Sequence, residues 1–204
     1  ERALDATEWN NDLLDKALDA CKHLKDVASA MQVTRKALSS GLVPTESNLV
    51  LLIDVYNAAK AEGIVAVIKL LNRHKIPVNK TIASKLAVHY ASQGQFDNAW
   101  AIHKRLIGKD EQDRVAALGL YISCAQGDKD KAVEYFTMLR DTGKVKIMAF
   151  LKMTELAVST NSPELLPLID EVMVHVGFKT KDSKLIQMVK AALHFNDEER
   201  VRKY

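Results

Sequence analysis

Apolar positions along the chain recur at helical spacing. Leu13, Leu14, Ala17, Leu18 and Cys21 fall on one face, as do Leu52, Ile53, Tyr56 and Ala59. No segment sustains the period-two alternation of a half-buried strand. The pattern predicts helices almost throughout, with breaks at about residues 41–45, 62–63, 75–79, 94–95, 108–111, 127–128, 143–144, 161–163 and 177–181. With residues 7–41 taken as one pair, this gives ten helices in five pairs, and an eleventh over about residues 182–195. Residues 196–204 read as a charged tail.

The helix pairs repeat. A step of 33 residues links Ala17, Val50, Ala83, Ala116 and Ala149, all in first helices of a pair. The same step links Val33, Ala66, Ala99, Ala132 and Leu165 in second helices, and joins Pro44 to Pro77 and Gly94 to Gly127. Small residues at one helical position let neighbouring helices approach closely. The predicted fold is therefore all-α: a right-handed α-solenoid of about five helix-turn-helix repeats with a C-terminal helix, forming one domain over 1–204. Its units are about 7–41, 45–75, 79–108, 111–143 and 145–177, with the terminal helix at 182–195. Ser162 and Pro163 suit an N-cap and first turn, and Asp128 suits a cap for the helix holding Ala132. Pro167, four residues into its helix, should cost one backbone bond. Arg35, Lys36, Arg73, Lys75 and Arg140 stand near C-termini of second helices, where the helix dipole favours cations.

Composition agrees with tight-turned helices. Only 8 glycines and 4 prolines occur, and 48% hydrophobic with 27% charged residues describes a soluble chain able to bury a core. The net charge of +3 is spread without a block of five like charges, so it permits nucleic acid without requiring it. The two cysteines, Cys21 and Cys124, have no metal-ligand spacing and are expected as reduced thiols, one bridge between them remaining open. The longest apolar runs fall far short of the ~20 residues of a membrane span, so no membrane insertion is expected. His23, His74, His89, His103, His175 and His194 are scattered, and no phosphate-binding glycine loop or nucleophile elbow is present. The expected protein is non-enzymatic, with no catalytic residue, metal or cofactor.

The junction Ala37-Leu38-Ser39-Ser40-Gly41-Leu42-Val43-Pro44 resembles that between pentatricopeptide repeats, as does Asn72-Arg73-His74-Lys75-Ile76-Pro77-Val78-Asn79. The segment Tyr90-Ala91-Ser92-Gln93-Gly94-Gln95-Phe96-Asp97-Asn98-Ala99-Trp100 is similar to that family's inter-helix turn, and Gly127-Asp128-Lys129-Asp130-Lys131-Ala132-Val133 repeats the pattern. The likeness runs over about residues 30–143. It implies an organellar protein, most often mitochondrial (plastid or cytoplasmic as alternatives), that binds single-stranded RNA along a face built from first helices. The base-reading positions implied by the resemblance are Val50 and Ala83, which the 33-residue step extends to Ala116 and Ala149, with Thr45 and Val78 as motif-end partners. Aliphatic side chains offer no hydrogen bond to a base edge, so the family's base code is absent from these units. The remaining RNA-contact candidates on first helices and their approaches are Asn48, Lys80, Lys85, Arg114 and Lys146, with Lys152 alongside. Tyr56, Tyr90, Trp9 and Trp100 read as packing residues.

Two readings follow. One is contact with the RNA backbone, alone or within a ribonucleoprotein. The other is a scaffold holding protein subunits of a large mitochondrial complex, docked through Leu185, Ile186, Val189 and Leu193 on the last helix, which no later repeat covers. A tetratricopeptide-type adaptor for acidic tails would need a Lys and Asn clamp on one face, which the periodicity does not assemble.

Overall fold

A computed structural model describes residues 8–107, 112–177 and 186–203. Among them are twelve α-helices and no strand: α1 Asn11–Leu24, α2 Val27–Ser39, α3 Glu46–Ala59, α4 Val65–Arg73, α5 Lys80–Ser92, α6 Phe96–Leu106, α7 Gln112–Gln126, α8 Lys129–Asp141, α9 Ile147–Ser159, α10 Leu165–His175, α11 Ile186–His194 and α12 Glu198–Lys203. The chain divides into two compact units, Glu1–Gln95 and Phe96–Tyr204, the boundary falling between α5 and α6.

In the first unit α3 packs between α1 and α5, while α2 lies against α1 and α3, and α4 against α3. Leu14, Leu18, Leu49, Leu52, Ile53, Val67, Leu71 and Ile82 are essentially sealed from solvent. Polar side chains stitch successive first helices at the repeat spacing. Asn48 Nδ2 donates to Asp15 Oδ1 at 2.6 Å across 33 residues, and Asn79 Nδ2 reaches Glu46 across the same interval. Gln93 Nε2 donates to the Lys60 carbonyl at 3.1 Å, again 33 residues away. The helices begin on short polar caps (Asn10, Asp26, Thr45 and Asn79) whose side-chain oxygens take an otherwise unpaired amide.

The second unit repeats this arrangement. α9 packs between α7 and α11; α8 lies against α7 and α9, α6 against α7, α10 against α9 and α12 against α11. Its core is Phe136, Phe150, Met153, Leu156, Ile169 and Val172. Phe136 of α8 meets Phe150 of α9 edge to face, with centroids 5.6 Å apart. Gly119 is the one glycine inside a described helix, and Tyr135 explains it: a Cβ there would stand 2.6 Å from that ring. The Tyr135 ring stacks on Trp100, whose Nε1 donates to Gln126 at 2.9 Å, so Trp100 is a packing residue.

Every member of the two 33-residue ladders lies on the helix type expected of it, first helices α1, α3, α5, α7 and α9 or second helices α2, α4, α6, α8 and α10. Asp128 caps α8, its carboxylate accepting from the Lys131 amide at 3.1 Å. Four local expectations are corrected. The first pair is divided at Lys25 and Asp26, where no glycine or proline marks a break: Lys25 itself adopts the left-handed conformation, φ 56°, and Asp26 caps α2. Ser162 caps nothing; it is buried, and its hydroxyl donates to the Thr160 carbonyl at 3.3 Å. α10 instead starts at Leu165, so Pro167 sits in the first turn, where a missing N–H sacrifices no intrahelical bond. The charged tail is a helix: Asp197 accepts from the Arg200 amide, and the Arg200 guanidinium bridges Asp197 and Asp170, which anchors α12. The predicted breaks at 108–111 and 178–181 lie outside the described residues.

Candidate functional site

Among the described residues, four cations line a cavity between α7 and α9. Arg114, Ala117 and Tyr121 follow one another at i, i+3, i+7 on α7 and share its face toward α9. On the opposite wall stand Met148, Ala149 and Lys152 of α9, with Lys146 at its N-cap and Lys144 on the connection from α8. Leu120 and Leu139 close the floor. The cavity holds about 490 Å³. No side chain caps α9, so the positive end of its dipole adds to the lysines.

The charges are partly compensated. Lys144 Nζ lies 3.4 Å from Asp113 Oδ2. Partial burial works to raise the Asp113 carboxyl, but the Lys144 hydrogen bond and charge, with backbone amides at the start of α7, outweigh it and hold the group below its ordinary range. Lys152 Nζ reaches Glu155 Oε2 at 2.6 Å and sits 5.4 Å from the Tyr121 ring centroid, a cation over an aromatic face. Further along the same seam a cavity of about 220 Å³ is lined by Tyr121, Lys152, Glu155, Cys124 and Ser159. Burial pushes the Cys124 thiol up to about 12, with Lys152 opposing and Glu155 reinforcing that shift, so it is no nucleophile at neutral pH. Cys21 and Cys124 are both free thiols. A third cavity, about 350 Å³ between α9 and α11, carries Glu155, Lys190 and His194 among otherwise small and uncharged residues.

Arg114 and Lys146 are therefore exposed neighbours of one cleft. The other RNA-contact candidates are not. Asn48 is 1% exposed, and its amide is fully committed. Its oxygen accepts from the Thr45 amide and hydroxyl in a capping box, while its nitrogen donates to the Asn11 carbonyl and to Asp15. With no donor left for a ligand, Asn48 is withdrawn as a contact residue. Lys80 is half-buried in the first turn of α5. Lys85 is bound to Asp54 of α3, both partly buried. Of the aliphatic code positions, Val50 and Ala83 are half-buried, Ala116 and Ala149 buried, and Ala149 lies on the cleft wall. Tyr56 is buried and meets His89 edge-on; Tyr90 is half-buried. Among the docking candidates, Leu185 lies outside the described residues, Ile186 opens α11, Val189 is half-buried and Leu193 is 57% exposed.

Sequence reasoning missed Lys144, Tyr121 and Met148 as members of a site. The Arg114–Tyr121 spacing and the Lys144-Val145-Lys146 pair after Gly143 were the available signals; only packing of α7 against α9 joins them. Among the described residues no group of three potential ligands could hold a metal ion, and no helix is long and apolar enough to cross a membrane. Comparison of the chain with protein-family models, curated proteins and solved structures finds no match in any of the three.

Proposed function

We propose that the chain is a non-enzymatic, pentatricopeptide-like binding module in organellar RNA metabolism or a ribonucleoprotein assembly, mitochondrial by that likeness, which contacts the backbone of single-stranded RNA without reading its bases. In this reading the helix pairs build one right-handed α-solenoid with first helices on the binding face. The observation that carries the proposal is the α7/α9 cleft, lined by Arg114, Lys144, Lys146 and Lys152, where Lys144 pairs with Asp113 and Lys152 with Glu155. Phosphate contacts supply affinity independent of sequence, and an aromatic ring such as Tyr121 offers a surface that any base can meet. Ala149, at the base-reading position on the same wall, has no polar group with which to read a base edge.

Fluorescence anisotropy with labelled oligouridine, oligoadenine and mixed-sequence RNA tests this. Affinity should be weak, alike for all three, and should fall as salt rises, with a log–log slope of roughly −2 to −3 for three or four contacted phosphates. Strong discrimination between sequences, or affinity indifferent to salt, contradicts it.

Leu193, 57% exposed on α11, favours the second reading, a scaffold for protein subunits. Light scattering addresses it: a strict monomer that acquires no protein partner in its native extract counts against docking.

A further inference from the structure

We infer that the α3/α5 seam is an acid-released latch: a proton taken up by the His89 ring frees α5 from α3 while α1, α2 and α3 stay packed. The device is independent of what the chain binds, and it is local, unlike a loss of stability shared by the whole fold.

Three observations carry it. First, one side chain clasps the seam. Asn57 of α3 reaches a single turn of α5 twice: its Nδ2 donates to the Lys85 carbonyl at 3.2 Å, and its Oδ1 lies 3.1 Å from His89 Nδ1. A carbonyl only accepts, so the orientation of the Asn57 amide is fixed and Nδ1 carries the hydrogen shared with it. Second, the imidazole is badly placed for a charge. His89 is 2% exposed and meets Tyr56 and Tyr90 at steep ring angles. With Nδ1 committed, a further proton enters at Nε2 of a buried ring, and burial holds the group below its ordinary value of 6.5. The groups facing it are Asp54 and Tyr56 from α3 and Lys85 and Tyr90 from α5, with Arg35 of α2 beside Tyr56. Third, within the first unit α5 packs on α3, whereas α3 is also held by α1, α2 and α4. A helix with few packed neighbours opens more readily than one with many. An open seam gives the ring to water, where it titrates at its ordinary value, so opening is favoured as pH falls below about 6.5. Release also parts Lys85 from Asp54, a cation that the closed seam neutralises.

The test is hydrogen exchange followed by mass spectrometry on the full chain at pH 7.5 and 5.5, with exchange times scaled for the intrinsic rate at each pH. Amides of α5 should open up to about tenfold more often at pH 5.5, the most that one group of ordinary value 6.5 contributes there. Those of α1 and α3 should keep their protection. His89→Gln, whose amide still donates to Asn57, should abolish the acid response, and His103→Gln in the second unit should leave it intact. Asn57→Ala, which removes the clasp itself, should open α5 at both pH values. Equal α5 protection at the two pH values in the natural chain overturns the latch. An acid response that survives His89→Gln assigns the proton elsewhere and overturns it as well. Loss of protection by α1, α3 and α5 together means global unfolding and contradicts a local release.

Discussion

The α3/α5 seam of the first unit and the α7/α9 seam of the second each join first helices one repeat apart, yet they are filled differently. Across α3/α5 the polar groups are paired: Lys85 with Asp54, His89 with Asn57, Asn79 with Glu46. Across α7/α9, Lys144 pairs with Asp113 and Lys152 with Glu155, Arg114 and Lys146 stand beside them, and the seam opens into a cavity of about 490 Å³. The same pairing of first helices thus carries matched polar partners in one seam and a ligand-sized cavity lined by four cations in the other. The repeat supplies the seam; the residues at its mouth decide whether it is structure or site.

The comparison breaks most readily at the core beneath the open seam. Phe136 is wholly buried against Phe150 and holds α8, and with it the connection bearing Lys144 and Lys146, onto α9. Phe136→Ala should cost about 3–5 kcal/mol in urea unfolding and lower RNA affinity as well; a loss below 1 kcal/mol would mean that this packing does not position the cleft. A smaller effect separates joint from site. Asn48→Ala removes a capping box and the amide that bonds Asp15 Oδ1 and the Asn11 carbonyl, so it should cost about 2 kcal/mol with RNA binding of the folded protein unchanged. Weakened binding at full stability would return Asn48 to the site.

The smallest expected effect concerns the buried imidazoles. His89 donates through Nδ1 to Asn57 Oδ1 at 3.1 Å, and His103 through Nε2 to the Val115 carbonyl at 3.0 Å. Burial pushes both below the ordinary value of 6.5, opposed at His103 by that backbone bond. The unfolded chain therefore takes up protons near pH 6.5 before the folded one does. The stability these groups contribute is present above that pH and lost as pH falls, by at most about 1.4 kcal/mol per pH unit for each histidine. Urea midpoints at pH 7.5 and 5.5 check this; an equal or higher midpoint at pH 5.5 contradicts it.

Much of the helix pattern was legible because hydrophobic spacing and scarce glycines are local signals: Gly41, Gly63, Gly94, Gly127 and Gly143 all carry positive φ between helices. The break after α1 was not, because Lys25 takes the left-handed conformation in place of a glycine. The sequence of α12 looks like a tail because its charges look solvated, while Arg200 joins it to Asp170 of α10. Arg114 and Lys146 could be picked out from their places at the starts of first helices. Asn48 misled for the same reason: a polar residue in a first turn looks like a contact, but its amide closes the box opened by Thr45. Lys144 and Tyr121 belong to different elements, and only α7 packing on α9 brings them to one cavity.

The most direct test of the central claim is the salt dependence of binding to an unstructured RNA decamer, measured for the natural chain, for K144A/K146A and for K129A. The account predicts that removing the two cleft lysines flattens the log–log slope by about 1.4 and weakens binding, while K129A changes neither. Three parallel lines of equal affinity would contradict it.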